Sequence, residues 1–188
     1  YALYLRFSQL VRDVLGDYSD QVEPFGLDES WVDITGERNG KLCADEIRNR
    51  IKREFGLTVS IGVSFNKIFA KLGSDYRKPD FTTEFTKENY REFVWPLPGS
   101  DLVGVGRATT RKLLLRSVKT IGQLANADLF LVKSWLGKWG EYLHAFANGM
   151  DISPVSRKND EGVIKSIGNS ITAPRDLVNE ADVRLVFY

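Results

Sequence analysis

Two adjacent carboxylates, Asp28 and Glu29, stand in the segment 26–33 between two short apolar runs. Adjacent carboxylates repel each other, and a folded protein tolerates the pair when a cation lies between them. Oxygen ligands without histidine or cysteine favour Mg²⁺ or Mn²⁺, and Mg²⁺ commonly combines one or two carboxylates with substrate phosphates. The alternative is a solvated turn, because acidic residues are common at exposed tips. Asp33, further along, is expected to make a structural hydrogen bond.

A second candidate site runs from residue 62 to residue 71 and on into the loop 76–79, which contains Lys78. A strand that turns into a helix offers backbone N–H groups, and nearby lysines attract an anionic group to them. Lys78 precedes a proline in this loop and is suited to contact a polyphosphate. The alternative is that the lysines of the segment are ordinary surface charges, and no Walker or G-x-G-x-x-G pattern decides between the two.

A third candidate site is the turn at residues 104–106, where two glycines flank one valine. The helix that follows begins with free N–H groups beside basic side chains, and such a turn can grip a phosphodiester backbone without reading bases. Residues 102–140 carry seven basic residues against one acidic residue, a net charge of +6. The alternative is a helix–turn–helix packing unit with a charged solvent face, and the local charge favours phosphate binding. The expected phosphate contacts are Gly104, Gly106, Arg107, Arg111 and Lys112.

The whole chain has 188 residues, a formal net charge of +1, 43% hydrophobic residues and 27% charged residues. This composition excludes a disordered chain, and no apolar run is long enough to span a membrane. The single Cys43 and the single His144 exclude a disulfide scaffold and a structural zinc site, and both are interpreted as structural residues. The near-zero net charge hides an acidic first third, where residues 1–60 sum to −3.

The elements that must position these residues follow from periodicity and caps. Apolar residues at helical spacing predict a helix over 2–15, Asn39 is expected to cap a second helix, and Gly56 is expected to end it. The order helix, hairpin, helix, strand predicts an α+β layer with an antiparallel sheet and helices on one face. The remaining predicted elements of this part are strands over 22–27, 30–34 and 57–63 and a helix over 66–74.

Two prolines and a glycine in the segment 95–99 predict a domain boundary there. The chain beyond it is expected to be helical to about Met150, with a helix beginning near Thr120. Residues 164–172 are predicted to be extended, and a last helix is expected to start after Asp176 or Asn179.

Together these segments resemble the Y-family of translesion DNA polymerases, of the polymerase IV type. Their order and spacing agree over nearly the whole chain. The matching segments are Gly26–Asp33, Val59–Val63, Asn66–Lys71, Ser74–Asp75, Lys78–Pro79, Gly104–Gly106, Lys165–Ser170 and Pro174–Leu177. The resemblance implies part of a catalytic palm in residues 1–97, a helix-hairpin-helix thumb in 98–155, and a linker with the first strand of a little finger in 156–188.

The resemblance also implies a DNA polymerase that uses two Mg²⁺ ions, with Mn²⁺ as the alternative, on primer-template DNA and deoxynucleoside triphosphates. It assigns the second and third metal carboxylates to Asp28 and Glu29, the triphosphate contact to Lys78, and the DNA-tracking turn to Gly104 and Gly106. The lone cysteine fits a reducing compartment such as the cytoplasm, and no membrane is expected among the partners. A sliding clamp is a further expected partner, through residues beyond the end of the chain.

In this family the first metal aspartate and the gate against ribonucleotides lie on segments that would precede Tyr1. We therefore expect the intact protein to polymerise and this chain alone not to, which a primer-extension assay on the chain tests. The alternative class is a non-catalytic DNA-binding protein that uses the hairpin module. An aspartate-containing apolar strand before Tyr1 would favour the enzyme, and its absence would favour the DNA-binding protein. A structural interaction domain is the third reading, and it predicts no salt-dependent DNA affinity.

Overall fold

A computed structural model describes residues 1–36, 39–157, 166–168 and 170–187 of the chain. The chain forms two compact units, Tyr1–Lys158 and Asn159–Tyr188. The first part of unit one contains the helices and strands α1 (Ala2–Gly16), β1 (Val22–Phe25), β2 (Glu29–Val32), α2 (Gly40–Phe55), β3 (Ile61–Ser64), α3 (Lys67–Tyr76), β4 (Thr82–Phe85) and α4 (Tyr90–Phe93).

The helix ends follow the predicted caps. The Asn39 side chain accepts a hydrogen bond from the N–H of Leu42 at 3.1 Å and starts α2. Gly56 ends that helix in the left-handed conformation with φ of 68°, which glycine adopts without steric cost. Asn66 caps α3 in the same way, accepting from the N–H of Phe69 at 2.8 Å. Local capping therefore fixes where both helices begin.

The strands form two two-stranded sheets, and the α+β class is confirmed. β1 and β2 pair antiparallel with Val22 opposite Val32, around the turn 26–28. β3 and β4 pair parallel instead, which corrects the expectation of antiparallel pairing throughout. Parallel neighbours need a crossover, and α3 supplies it between the two strands. The elements predicted from the sequence do not include β4.

Two hydrophobic clusters hold unit one together. The smaller one joins α1, β1 and α2 through the buried residues Val14, Leu15, Val22, Cys43, Ile47 and Ile51. The larger one begins at Ile68 in α3, includes the fully buried Phe69 and Phe85, and continues to Ala147. This larger core therefore contains residues on both sides of position 97. The division of the chain into palm and thumb at that point stays a prediction.

The second part of unit one is helical, as expected, up to residue 147. Thr120 forms a capping box with Gln123, which begins the helix predicted near that position. Trp95 donates from Nε1 to the carbonyl of Ala147 at 3.2 Å, so the start of this part is tied to its end. The helices here are a short 3₁₀ helix at Gly99–Asp101, α5 (Arg107–Leu114), α6 (Ile121–Ala125), α7 (Leu129–Leu136) and α8 (Lys138–Ala147).

Unit two contains α9 (Glu180–Phe187), which begins where the Asn179 side chain accepts from the N–H of Asp182 at 2.9 Å. This confirms the later of the two predicted starting points. The predicted strand over 164–172 falls partly outside the described residues, and its described parts, 166–168 and 170–172, contain no strand. Within the described ranges, no helix is long and apolar enough to cross a membrane.

Candidate functional site

The acidic pair lies at the tip of the β1–β2 hairpin, as the sequence predicts. Asp28 is the last residue of the turn and is exposed, and Glu29 opens β2 and is partly buried. Gly26 starts the turn with φ of 76°, a conformation that side chains with a Cβ rarely adopt. The Ser8 hydroxyl of α1 donates to the carbonyl of Leu27 and fixes the turn against that helix. The two carboxylates are therefore presented from a braced tip.

A chain of ion pairs links this tip to Lys78. Lys71 Nζ of α3 lies 3.0 Å from Glu29 Oε1 and also contacts Asp75, one helical turn further on. Asp75 Oδ1 in turn lies 2.5 Å from Lys78 Nζ. The structure thus brings Glu29 and Lys78 into one cluster through Lys71 and Asp75.

The electrostatics of the cluster follow from these pairs. Burial alone would lower the pKa of Lys71, but its hydrogen bonds with Asp75 and Glu29 outweigh burial and raise the pKa overall. Burial alone would raise the pKa of Asp75, yet the hydrogen bonds from Lys71 and Lys78 hold it below its ordinary value. Both groups therefore stay charged at neutral pH, and Lys71 neutralises charge beside the acidic pair.

The donor set suits a hard divalent ion. Asp28 and Glu29 supply adjacent carboxylate oxygens, the ligands that Mg²⁺ and Mn²⁺ prefer. Among the residues that the structure describes, no three His, Cys, Asp or Glu side chains gather to form a metal site. By themselves, the two carboxylates can therefore supply only part of a coordination shell. Substrate phosphates are a usual source of further ligands for Mg²⁺.

The acidic pair and both lysines line one cavity of about 850 Å³. β2 pairs with β1 alone and β3 with β4 alone in the described part of the chain, so each of these strands has one unpaired edge. Both strands contribute to the cavity wall, together with apolar residues of α1 and α2. The wall residues from these two helices include Phe7, Val11, Leu15, Ala44, Ile47 and Ile51.

Other residues of this region have structural roles. Asp33 accepts from the N–H of Thr35 at 2.8 Å, which confirms the predicted structural hydrogen bond. Lys67, with its side chain only 13% exposed, lies 2.6 Å from Glu23 and 4.5 Å from the centre of the Trp31 ring. Lys67 is thus held inside an ion pair, whereas the Lys78 side chain is 55% exposed beside the cavity.

The turn at residues 104–106 has two unequal glycines. Gly104 has φ of 86°, and a Cβ built on it would lie 2.6 Å from Cζ2 of Trp139. Trp139 also donates from Nε1 to the Gly104 carbonyl at 3.1 Å, so the indole braces the turn. Gly106 precedes α5 with φ of −80° and open space around its Cβ position. This turn needs glycine at 104 for its conformation and leaves 106 open to a ligand.

The basic side chains expected to contact phosphate lie on α5, directly after this turn. Arg107, Arg111 and Lys112 are all exposed. In the described ranges none of the three forms an ion pair, whereas the neighbouring Arg116 lies 5.2 Å from the Trp135 ring. Arg107 opens α5 beside the glycine turn, and Arg111 and Lys112 lie in the last turn of the same helix. Exposed cations on a helix that follows a glycine turn can hold phosphates.

Lys71 and Asp75, which link Glu29 to Lys78 through ion pairs, were not among the site residues predicted from the sequence. A local signal exists, since Lys71 and Asp75 are spaced i,i+4, which places this pair on one face of α3. Lys78 follows Asp75 by three residues, in the loop after the helix. The link from Lys71 to Glu29 joins residues 42 positions apart. No local pattern indicates that link.

Comparison with protein families gives two matches. Residues 1–75 match the impB/mucB/samB family, and residues 100–151 match the thumb domain of DNA polymerase iota. Together the two matched segments cover more than half of the chain. The first contains the hairpin with its acidic pair, and the second contains the glycine turn and α5 to α8.

Similar proteins are found among both curated sequences and solved structures. The DNA polymerase IV of Acetivibrio thermocellus is 50% identical over 192 residues, which cover 100% of this chain and 48% of that protein. The DNA polymerase IV of Clostridium kluyveri is 39% identical over 191 residues, which cover 99% of this chain and 47% of that protein. A Y-family DNA polymerase chimera, Dbh-Dpo4(243-245)-Dbh, has a TM-score of 0.76 at 26% identity, over 84% of this chain and 47% of that one. DinB from Sulfolobus solfataricus has a TM-score of 0.75 at 25% identity, over 83% and 48%.

The chain spans about half the length of the curated relatives it matches. The similarity extends over nearly all of this chain, including the hairpin, the lysine loop and the glycine turn.

Proposed function

The chain belongs to the Y-family of DNA polymerases, and from that membership we propose that it forms the palm and thumb of an enzyme for template-directed DNA synthesis past damaged bases. Its substrates are primer-template DNA and deoxynucleoside triphosphates. The observation that carries the proposal is that one cavity gathers Asp28 and Glu29 with Lys78. A nucleotidyl transfer needs carboxylates for metal ions and a cation for the triphosphate in one place.

In this proposal Asp28 and Glu29 hold divalent ions, two Mg²⁺ ions in the family's manner, with Mn²⁺ as the alternative. When bound, such ions activate the attacking hydroxyl and stabilise the charge that develops on the transferred phosphate. In the absence of bound ions, Lys71 partly neutralises the negative charge at the hairpin tip, because its ammonium lies 3.0 Å from Glu29 Oε1. Asp28 is exposed and lines the same cavity.

Lys78 is proposed to bind the triphosphate. Its ammonium is more than half exposed and has Asp75 as its ion-pair partner in the described structure. A triphosphate carries more negative charge than one carboxylate, so it competes with Asp75 for this ammonium. The pair with Asp75 holds the lysine near its working position until the nucleotide arrives.

The unpaired edges of β2 and β3 support a palm that is completed by further chain. Each edge presents backbone groups that a strand can pair with, and the cavity between them is lined by apolar side chains. The family's strand with the first metal aspartate is proposed to pair there, which would bring a third carboxylate to Asp28 and Glu29.

The glycine turn and the cations of α5 are proposed to bind the phosphates of primer-template DNA. Such contacts set position and do not read sequence, which suits a polymerase that must accept every base. A sliding clamp and a cytoplasmic location are also part of the proposal, since both accompany DNA synthesis in bacteria such as those that carry the relatives.

Primer extension past an abasic site by the full-length protein tests the proposal. We expect Mg²⁺-dependent extension, and we expect Asp28→Asn and Glu29→Gln each to reduce its rate by about 100-fold or more, because charge stabilisation in the transition state is lost. Asp33→Asn is the matched control, since an amide oxygen still accepts from Thr35. DNA binding without any extension by the wild-type protein would support a non-catalytic DNA-binding protein instead.

A further inference from the structure

Asp80, two residues beyond Lys78, is held by two cations of α2. Arg48 Nη1 donates to Asp80 Oδ1 at 2.7 Å and to the Asp80 carbonyl at 3.2 Å. Lys52 Nζ donates to Oδ2 at 2.6 Å. Each carboxylate oxygen therefore has its own cation, and the Arg48 and Asp80 side chains are only about one-fifth exposed, at 21% and 20%.

The backbone at Asp80 adopts an unfavourable conformation that its ion pairs help to stabilise. Its φ is 54°, in the left-handed region that few residues other than glycine, asparagine and aspartate adopt. Arg48 directs Nη1 to this residue, while its Nη2 lies 3.5 Å from Asp45 Oδ1 and its Nε is buried without a hydrogen-bond partner among the described residues. The hydrogen bonds of Asp80 with Lys52 and then Arg48 hold its pKa below the ordinary value, so the carboxylate stays charged. The pairing is therefore present throughout the neutral pH range.

The loop between α3 and β4 is consequently attached on two sides. Lys78 reaches back to Asp75 of α3, and Asp80 is attached to α2 by Arg48 and Lys52. A lysine carries its charge on a flexible four-carbon stem, so the backbone beneath it decides which volume the ammonium can occupy. A second attachment two residues away limits that volume.

We propose that Asp80 is a positioning residue for nucleotide binding: through Arg48 and Lys52 it fixes the loop from which Lys78 contacts the triphosphate. The inference rests on the proposed function, because it gives Asp80 a purpose only if Lys78 binds nucleotide. Asp80 itself does not touch the substrate in this proposal.

The test is steady-state incorporation of one nucleotide by the full-length enzyme carrying Asp80→Asn. Asparagine keeps the size and tolerates the left-handed conformation, but it carries no charge for Arg48 and Lys52. We expect KM for the incoming nucleotide to rise about tenfold with kcat changed much less, since a misplacement of 1 Å can cost up to about 100-fold. The dissociation constant for primer-template DNA is expected to stay unchanged.

Asp17→Asn is the matched control. This variant removes a carboxylate that lies 2.7 Å from Nη2 of Arg50. Arg50 belongs to α2, like Arg48, but it is two positions further along and therefore lies on another face of the helix. We expect this variant to keep the wild-type KM. Equal rises of KM in Asp80→Asn and Asp17→Asn would overturn the proposal.

A double variant separates positioning from general destabilisation. If Asp80 acts through Lys78, then Asp80→Asn has no further effect on KM in the Lys78→Ala background. Effects that multiply would show that Asp80 acts independently of Lys78 and would overturn the inference. The proposed function fails separately, if the wild-type enzyme incorporates no nucleotide or Lys78→Ala leaves KM unchanged.

Discussion

The ammonium of Lys67 lies 2.6 Å from the carboxylate of Glu23, and this pair ties the segment after α8 to the hairpin that carries Asp28. Glu23 Oε2 also accepts from the N–H of Ser156 at 2.8 Å, and Lys67 Nζ donates to the carbonyl of Pro154 at 3.3 Å. The pair therefore joins three separate parts of unit one: β1, the start of α3 and residues 154–156.

We expect Glu23→Gln to weaken the contacts among these three parts, because glutamine carries no negative charge and cannot form the ion pair with Lys67. The expected loss in the free energy of unfolding is about 1.5–3 kcal/mol, the usual contribution of hydrogen bonds to charged groups. Hydrogen exchange measures the change locally, and the Ser156 amide should exchange faster. Glu92→Gln, at an exposed site, is the control. Unchanged exchange at Ser156 would contradict the role of the pair.

The same carboxylate predicts a pH dependence of stability. Burial alone would raise the pKa of Glu23, but hydrogen bonds with Lys67 and Ser156 hold it below its ordinary 4.5. A carboxyl whose pKa is lower in the folded state stabilises the protein above its unfolded-state pKa. This contribution is lost as the pH falls through the folded-state value. Urea unfolding should therefore show stability declining below pH 4.5, and declining less steeply in Glu23→Gln.

The two glycines of the turn at residues 104–106 should respond differently to alanine. Gly104→Ala forces a Cβ into the left-handed region and against Trp139, so we expect a loss of about 1–3 kcal/mol in the free energy of unfolding. Gly106→Ala meets no atom within 4 Å and has an ordinary φ, so its effect on unfolding should be small. Equal destabilisation in thermal unfolding would show that Trp139 does not restrict the turn.

The α5 cations should contribute to DNA binding without sequence preference. We expect Arg107→Ala or Arg111→Ala to weaken binding about equally across sequences and to reduce the slope of log affinity against log salt by about 1, as one phosphate contact is lost. Arg53→Ala removes an exposed cation from α2 and should leave the slope unchanged. A variant that weakens binding to some base sequences and spares others would count against phosphate contacts.

Much of the fold is readable from local sequence. Caps at Asn39, Gly56 and Thr120 fixed helix ends, because a cap acts on the three or four residues beside it. β4 was not predicted, because its sequence Thr-Thr-Glu-Phe is short and three of its four residues are polar, although Thr82, Thr83 and Phe85 are buried. Its parallel pairing with β3 depends on the α3 crossover, a tertiary arrangement that local periodicity does not encode.

In the candidate site, too, some residues are indicated by local sequence and others only by the tertiary structure. Asp28 and Glu29 are neighbours in sequence, and Lys78 stands beside a proline, so local patterns and the family resemblance indicate them. The pairing of Arg48 with Asp80 joins residues 32 positions apart, and only the folded chain reveals it. Long-range ion pairs of this kind carry no sequence pattern of their own.

The core that continues from Ile68 to Ala147 affects how this protein can be recombined with its relatives. An exchange of the helical module cut between residues 97 and 98 would separate Val94, which is fully buried, from other members of the same core such as Leu124 and Leu143. Both pieces would then present an apolar face to water. A chimera that exchanges residues 67–150 as one block preserves that core, and we expect it to express as a folded protein where the shorter exchange aggregates.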